Sequence, residues 1–223
     1  MSNSDFLPWG SDPVDSKITV PMISDSCDKA GLRHQILEHR LAPLVPGSSA
    51  SGRARTVRFV PDSNTDPAKP YDDAIDFIDG TQPGELIVIA TDNANASAFW
   101  GELFSAAAKG RGAKGVITDG NLRDSEKIVA VGFPAFSRSR RPIDYRGRMK
   151  VDASQVKVII GGVEIAPGDL VVADDDGVVV VPAAHEQTVI GFARDRARGE
   201  STVLEELLAG STLRDVWTRH GIL

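Results

Sequence analysis

Apolar and polar positions follow strand-like and helix-like periods in turn along the chain, without any internal repeat. Short apolar runs bounded by glycine or proline predict buried strands. The segment 52–60 alternates instead and is rich in β-forming residues, which favours a half-buried strand. The expected strands are 52–60, 87–90, 115–118, 156–160, 164–165, 170–173 and 178–181.

Segments between these strands carry apolar residues at helical spacing. The first begins beside Ser24 or Asp25, and either residue can cap a helix. The expected helices are 24–41, 71–78, 101–109, 182–198 and 201–208, with a turn at 119–124 and a basic loop at 136–150. Helices that alternate with strands predict an α/β fold, here one domain at 18–223 after an irregular arm at 1–17.

Composition and charge narrow the class of protein. The chain has 223 residues, of which 41% are hydrophobic and 25% charged, as is ordinary for a globular enzyme. Its longest apolar runs are too short to span a membrane, and its first residues lack the basic start of a secretion signal, so we expect a cytoplasmic protein. A formal charge of −6 disfavours binding to nucleic acid through the phosphates.

Three familiar chemical features carry little functional signal. Cys27 is the only cysteine, which excludes an internal disulfide, and we expect a small buried residue rather than a nucleophile. The segment 174–176 consists of aspartates but lacks the glycine and glutamate positions of an EF-hand, so it predicts a hairpin turn. Surface or packing positions are expected for the histidines His34, His39, His185 and His220.

A stronger signal is the adjacent pair Arg123-Asp124, which residues 103–122 separate from Glu102. Arg123 is a permanent cation, and the oxygens of Asp124 suit a hard divalent ion. Asp-Gly turns and Arg-Asp neighbours are also common as solvated turns. The pair by itself therefore leaves a binding site and a solvated turn both open.

The predicted helix that begins near Gly101 adds a second element to this pattern. Its first turn leaves the backbone N–H groups of Leu103 and Phe104 free at the positive end of the helix dipole. Such a helix start suits a carboxylate. The sequence therefore permits a small anionic substrate held beside a divalent ion.

Further motifs extend the pattern beyond this segment. They are Gly101-Glu102-Leu103, the run AKGRGAKGVITDG at 108–120, Arg123-Asp124, and the later GGV at 161–163, PGD at 167–169 and DGVVVVP at 176–182. Together they resemble the RraA-like family, which includes the class II 4-hydroxy-4-methyl-2-oxoglutarate aldolases and the regulator of ribonuclease E activity A. The resemblance runs from about residue 18 to the end of the chain. It implies an αββα sandwich of the swivelling β/β/α type with a mixed sheet.

The resemblance also implies an activity. In the aldolases, a 2-oxo acid is cleaved through a pyruvate enolate, by retro-aldol reaction of 4-hydroxy-4-methyl-2-oxoglutarate or by decarboxylation of oxaloacetate. Asp124 is then the direct ligand of Mg²⁺ or Mn²⁺, and Arg123 stabilises the developing oxyanion. Glu102 replaces the usual aspartate and orients a metal-bound water that relays protons. The substrate carboxylate binds at Gly101, Leu103, Phe104 and Arg123.

The family further implies homotrimers or homohexamers whose sites lie at subunit boundaries. Glu200 is the positional match for a glutamate that a neighbouring subunit contributes, although a helix-start glutamate favoured by the dipole is the alternative. Asp119 either supports the water network or shapes the turn, and the turn is favoured. The basic segment 136–150 is either a solvated loop or an anion-attracting rim.

The main alternative to an enzyme is a non-catalytic protein that binds another protein, as the regulator of ribonuclease E activity A does. A shared fold does not imply a shared function. Because Glu102, Arg123 and Asp124 stand at the aldolase spacing, the enzyme is favoured. A methyltransferase is disfavoured because no glycine-rich turn follows an early strand to receive a nucleotide-like cofactor.

Overall fold

The computed structural model describes residues 14–15, 18–38, 41–62 and 69–222. The predicted arm at 1–17, apart from residues 14 and 15, and His39 lie outside the described residues. The helices are α1 (Val20–Lys29), α2 (Asp72–Asp79), α3 (Glu102–Gly110), α4 (Ser125–Val131), α5 (Glu186–Leu208) and α6 (Leu213–His220).

Strands form one large mixed sheet and a separate hairpin. They are β1 (Ala42–Pro43), β2 (Ala50–Pro61), β3 (Glu85–Ala90), β4 (Ala98–Trp100), β5 (Gly115–Leu122), β6 (Ala135–Arg140), β7 (Met149–Ser154), β8 (Val158–Ile160), β9 (Val163–Ile165), β10 (Leu170–Ala173) and β11 (Val178–Val181). The large sheet has the order β1-β6-β5-β3-β2-β10-β11, with β4 on β5 and β7 on β2, while β8 pairs with β9. Strands β2, β3, β5 and β6 are parallel, and β10 and β11 are antiparallel additions.

The two faces of the sheet enter different cores, because successive strand residues point to opposite sides. In β3, Ile87 and Ile89 pack with residues of α2, α3 and α4. Leu86 and Val88 pack instead with residues of β8 to β11. The outer face of β10 and β11 is covered by α1 and α5. The layers therefore run helix, strand, strand, helix, which confirms the expected αββα sandwich with a mixed sheet.

The first predicted helix, 24–41, is wrong at both ends. Helix α1 begins at Val20 after the N-cap Thr19, with a proline in its first turn, and neither Ser24 nor Asp25 caps it. It ends at Lys29, and Gly31 follows with φ of +83°. Ile36 then forms a β-bridge with Val179 of β11. The backbone of residues 36 and 37 pairs with the edge of β11. This pairing outweighs the helical spacing of apolar residues in the segment.

At the other end of the chain, the helices predicted at 182–198 and 201–208 form one continuous helix, α5. Gly199 lies within it, and a Cβ at that position would fall 2.4 Å from Cδ1 of Ile222. Helix α6 was missed, although Thr212 caps it by accepting a hydrogen bond from the backbone N–H of Asp215 at 3.2 Å. That spacing is a recognised signal for a helix start. None of the helices in the described part of the chain is long and apolar enough to cross a membrane.

Three further segments differ in detail from the predictions. The basic segment 136–150 is not one loop, because it contains most of β6 and the start of β7. Helix α4 and the short strands β1 and β4 were not predicted. The turn at 174–177 is confirmed: it joins the antiparallel strands β10 and β11, and the backbone N–H of Asp174 donates to Gly177.

Candidate active site

Two neighbouring parallel strands end beside each other and position the motif residues. Strand β5 continues to Leu122, so the turn predicted at 119–124 is reduced to Arg123 and Asp124. Strand β4 pairs with β5 in parallel, and the backbone N–H of Arg123 donates to Trp100 O at 2.9 Å. Gly101 directly follows β4 and is the N-cap of α3. The carboxyl ends of β4 and β5 thus bring the start of α3 against Arg123-Asp124.

This close approach requires glycine at position 101. A Cβ there would lie 2.7 Å from Asp124 Oδ2 and 3.2 Å from Arg123 Cγ. The φ of Gly101 is −154°, so its backbone is one that any residue can adopt. The absence of a side chain, rather than conformational freedom, therefore brings the carboxylate of Asp124 next to the helix start.

Helix α3 presents an uncapped N-terminus to the same place. Gly101 has no side chain to cap the first turn, and the first N–H groups of a helix have no intrahelical acceptors. The N–H groups of Leu103 and Phe104 therefore remain available for an anion, with the helix dipole favouring negative charge.

Asp124 has an unusual backbone conformation. Its φ and ψ of 55° and 37° are left-handed, and it precedes α4 as its N-cap without a side-chain capping bond. The left-handed region costs a non-glycine residue roughly 1–2 kcal/mol. Strain of this kind is concentrated at functional sites. The carboxylate is left to face Arg123, whose Nε lies 3.7 Å from Oδ2.

Arg123 is held by a second carboxylate that the sequence analysis missed. Its guanidinium lies 3.2 Å from Asp144 Oδ2, and the hydroxyl of Tyr71 donates to the same oxygen. Partial burial raises the pKa of Asp144, but the bonds from Tyr71 and the backbone N–H of Arg146, together with the Arg123 charge, bring it below its usual value. Asp144 therefore stays ionised and fixes the direction of Arg123.

Asp144 reaches the site through strand pairing rather than through any sequence motif. Residue Ala98 of β4 forms a parallel bridge with Asp144, and its N–H donates to Ile143 O at 2.6 Å. The sequence predicts a solvated loop or an anion-attracting rim for the segment 136–150, and its spacing contains no signal for this contact of Asp144.

Glu102 has a cationic neighbour that was also missed. Its Oε2 lies 3.1 Å from Nζ of Lys127 on α4. The hydrogen bond that Lys127 donates to Glu102 raises the pKa of the lysine. Lys127 thus holds the Glu102 carboxylate at the site.

These side chains surround one cavity of about 400 Å³. The sequence analysis proposed seven site residues, and all of them except Glu200 line this cavity. The lining residues are Tyr71, Ile75, Ala98, Phe99, Trp100, Gly101, Glu102, Leu103, Phe104, Arg123, Asp124, Asp144 and Tyr145. The volume suits a small organic ligand.

Glu200 lies elsewhere and is absent from this lining. It sits on α5, where Oε1 is 2.5 Å from Nε of Arg196, and Arg196 also contacts Asp25 at 2.9 Å. Glu200 lies in the second half of α5, not at a helix start. The alternative that it is a helix-start glutamate favoured by the helix dipole is therefore wrong.

Asp119 forms hydrogen bonds with the loop that follows β3. It is buried, and its carboxylate accepts hydrogen bonds from the backbone and hydroxyl of Thr91 and from the backbone N–H of Asn93. Burial raises its pKa despite these bonds. Arg138 and Arg141 brace the same loop through carbonyl oxygens of Asn93 and Asn95. These residues shape the loop after β3.

Cys27 is buried on α1, as predicted. Burial, and to a lesser extent Asp28, raise the pKa of its thiol to about 11. A thiol that stays protonated at neutral pH is a poor nucleophile. Cys27 is therefore part of the packing between α1 and α5.

The donor atoms fit a magnesium-like ion better than a zinc-like one. Within the described residues, no group of three or more His, Cys, Asp or Glu side chains could hold a metal ion. Mg²⁺ is usually held by one or two carboxylates together with waters and substrate. Asp124, exposed on the cavity wall with Gly101 leaving room beside it, fits that mode of binding.

Comparison with known proteins places this chain in a family. The family model RraA-like, described as Aldolase/RraA, matches residues 20–180. The chain belongs to the RraA-like family.

Its relatives include proteins with different names. The chain is 33% identical over 180 residues to a Halalkalibacterium halodurans protein named "Putative 4-hydroxy-4-methyl-2-oxoglutarate aldolase", covering 80% of each. It is 29% identical over 191 residues to Protein DlpA of Legionella pneumophila. That match covers 86% of this chain but only 30% of DlpA. The crystal structure of Streptomyces coelicolor RraAS2, described as an unusual member of the RNase ES inhibitor RraA family, superposes with a TM-score of 0.74. That match has 28% identity over 83% of this chain and 91% of the other.

Proposed function

We propose that the protein is a divalent-metal-dependent lyase that cleaves a 2-oxo acid and releases pyruvate. The reaction is a retro-aldol cleavage of the 4-hydroxy-4-methyl-2-oxoglutarate type, a decarboxylation of oxaloacetate, or both. One observation carries the proposal: the free N-terminus of α3, Arg123 and Asp124 face the same cavity. Those groups are an anion site, a cation and a metal ligand within reach of one small molecule.

The chain's own residues bind and orient the substrate. The N–H groups of Leu103 and Phe104 bind the carboxylate next to the 2-oxo group. Arg123, directed by Asp144, faces the 2-oxo oxygen and stabilises the charge that it gains. Asp124 would hold a divalent ion, Mg²⁺ or Mn²⁺, which would supply Lewis-acid stabilisation of the developing negative charge.

In the retro-aldol reaction the hydroxyl on C4 passes its proton to the water that Glu102 orients, the C3–C4 bond breaks, and the electron pair of that bond passes to C3 and the 2-oxo oxygen. The same water delivers a proton to C3, which yields pyruvate and a carbonyl product. In decarboxylation the bond to the departing CO₂ breaks instead. Glu200 of the partner subunit completes the site in a homotrimer or homohexamer.

The test is pyruvate release from oxaloacetate and from 4-hydroxy-4-methyl-2-oxoglutarate, followed by NADH oxidation with lactate dehydrogenase. Because oxaloacetate also decays on free metal ions, the same Mg²⁺ concentration without protein is the blank. We expect release that EDTA abolishes and excess Mg²⁺ or Mn²⁺ restores. Release that resists the chelator contradicts the metal role. A folded protein that releases no pyruvate favours the second candidate, a non-catalytic protein-binding regulator, which the similarity to RraAS2 supports.

A further inference from the structure

Apolar and aromatic residues form a large part of the cavity lining, which we call the aromatic wall. Tyr71, Ile75, Phe99, Trp100 and Tyr145 belong to it. Phe99 and Tyr145 are stacked with ring centroids 6.3 Å apart. Tyr71 meets Tyr145 edge to face at 5.6 Å. These ring contacts give the wall a fixed shape, since each ring is held by another.

Charge on the lining is unfavourable for a second carboxylate. Among the described residues that line the cavity, Arg123 is the only cation, against the carboxylates of Glu102, Asp124 and Asp144. Asp144 already pairs with Arg123 at 3.2 Å. The first carboxylate of a substrate has the start of α3, and the lining residues of this chain provide no second cation for a distal carboxylate. Burying an unpaired charge is strongly unfavourable.

Tyr145 adds one neutral hydrogen-bonding group to this wall. Its hydroxyl is buried and has no hydrogen-bond partner among the described residues. Burial raises the pKa of Tyr145, so the hydroxyl remains a donor at neutral pH. Buried polar groups are nearly always partnered. Because Tyr145 is one of the residues that line the cavity, a bound ligand is the candidate for the missing acceptor.

We propose that the substrate is a 4-hydroxy-2-oxo acid whose C4 substituent is apolar and uncharged, and that Tyr145 donates a hydrogen bond to the oxygen on C4. This specificity rests on the proposed function, because it assumes that the 2-oxo acid end binds at α3, Arg123 and Asp124. The aromatic wall then accepts the C4 substituent, and the aldehyde or ketone that leaves is apolar.

A pair of substrates tests the proposal. We expect kcat/KM for 4-hydroxy-4-phenyl-2-oxobutanoate to exceed that for 4-hydroxy-4-methyl-2-oxoglutarate by about tenfold or more. A ratio of this size is typical when two substrates differ in how well one group fits its pocket. Tyr145→Phe should lower kcat/KM for the phenyl substrate by roughly tenfold. Equal values for the two substrates, or a preference for the dicarboxylate, would overturn the proposal.

A charge placed on the wall provides a second test. Ile75 lines the cavity and is 46% exposed, so a longer side chain can be accommodated. Ile75→Arg should shift the ratio of kcat/KM values toward the dicarboxylate, whereas Ile75→Gln, polar but uncharged, should not. If both variants shift the ratio equally, charge does not determine specificity and the proposal is wrong.

A third measurement separates the specificity from the lyase activity. Exchange of the C3 protons of pyruvate with D₂O, followed by NMR with Mg²⁺ present, needs only the 2-oxo acid end of the site. If the C3 protons of pyruvate exchange but the dicarboxylate is the preferred substrate, the proposed specificity is wrong and the proposed function stands. If no exchange occurs, the proposed function fails and the specificity fails with it.

Discussion

Asp124 combines a strained backbone with a carboxylate on the cavity wall, and the two properties can be separated by mutation. Asp124→Gly and Asp124→Ala both remove the carboxylate, and we expect both to lose metal-dependent pyruvate release. Glycine adopts the left-handed conformation freely, so the glycine variant should be more stable than the alanine variant by about 1 kcal/mol. Urea unfolding measures this difference, and Glu126→Ala, on the exposed side of α4, is the activity control. An active glycine variant would exclude Asp124 as the ligand.

Arg123 differs from a simple positive charge because its planar group contacts Asp144 while the residue lines the cavity. Lysine keeps the charge but lacks the planar fork. We expect Arg123→Lys to lower kcat by about 10²- to 10³-fold, as is typical when one oxyanion contact is lost. Steady-state kinetics at saturating Mg²⁺ check this value. Near-normal turnover would give Arg123 a structural role only.

Asp144 predicts a specific dependence of stability on pH. Burial raises the pKa of Asp144, but the contacts with Tyr71, Arg146 and Arg123 give a net lowering in the folded state. A carboxyl group of this kind stabilises the fold above its unfolded pKa of about 3.9, and the contribution is lost as the pH falls through the lower folded value. The free energy of unfolding of the wild type should therefore fall more steeply below pH of about 4 than that of Asp144→Asn. Urea titrations over that range measure both, and parallel curves would contradict the assignment.

At the scale of elements, the two ends of α3 provide a matched pair of glycine substitutions. A Cβ on Gly101 would meet Asp124 Oδ2 at 2.7 Å, whereas a Cβ on Gly110 would have nothing within 4 Å. We expect Gly101→Ala to lower kcat/KM by roughly 10²-fold, because a displacement of about 1 Å at a reacting site has that effect. Gly110→Ala should retain activity. Equal activities would mean that the junction of α3 with Arg123-Asp124 does not form part of the site.

At the scale of the whole molecule, Glu200 tests whether the site crosses a subunit boundary. It does not line the cavity of its own chain. Under conditions in which subunits exchange, a mixture of inactive Asp124→Ala and inactive Glu200→Ala proteins should regain activity, since some sites then receive both native groups. A mixture of Asp124→Ala with Arg123→Ala should not, because those residues belong to the same chain's half of the site. No recovery after verified exchange, or a fully active monomer, would rule out a shared site.

Local pattern was enough for the elements that depend on near neighbours. The apolar runs at 170–173 and 178–181 are β10 and β11, and the aspartates between them form the turn that joins these strands. Strand period and turn chemistry depend on residues only a few positions apart. By contrast, the pattern did not predict that the helix at α1 would end before Leu37, which donates its N–H to Val178 O. That competition between helix and strand is decided by a distant partner.

The sequence by itself determined the family, the layered α/β fold and the half of the site that lies at Gly101 and Arg123-Asp124. The apolar periods predicted the alternation of helices and strands, and the short motifs, through the family resemblance, predicted the layering and these candidate site residues, whereas β4 and the last four residues of β5 were seen only in the structure. Only the tertiary structure decided the other half, because Tyr71, Asp144 and Tyr145 come from segments far from the motif in the chain. The pairing of Ala98 with Asp144 brings them beside Arg123. Contacts of this kind depend on how layers pack in three dimensions, and no local period or spacing encodes them.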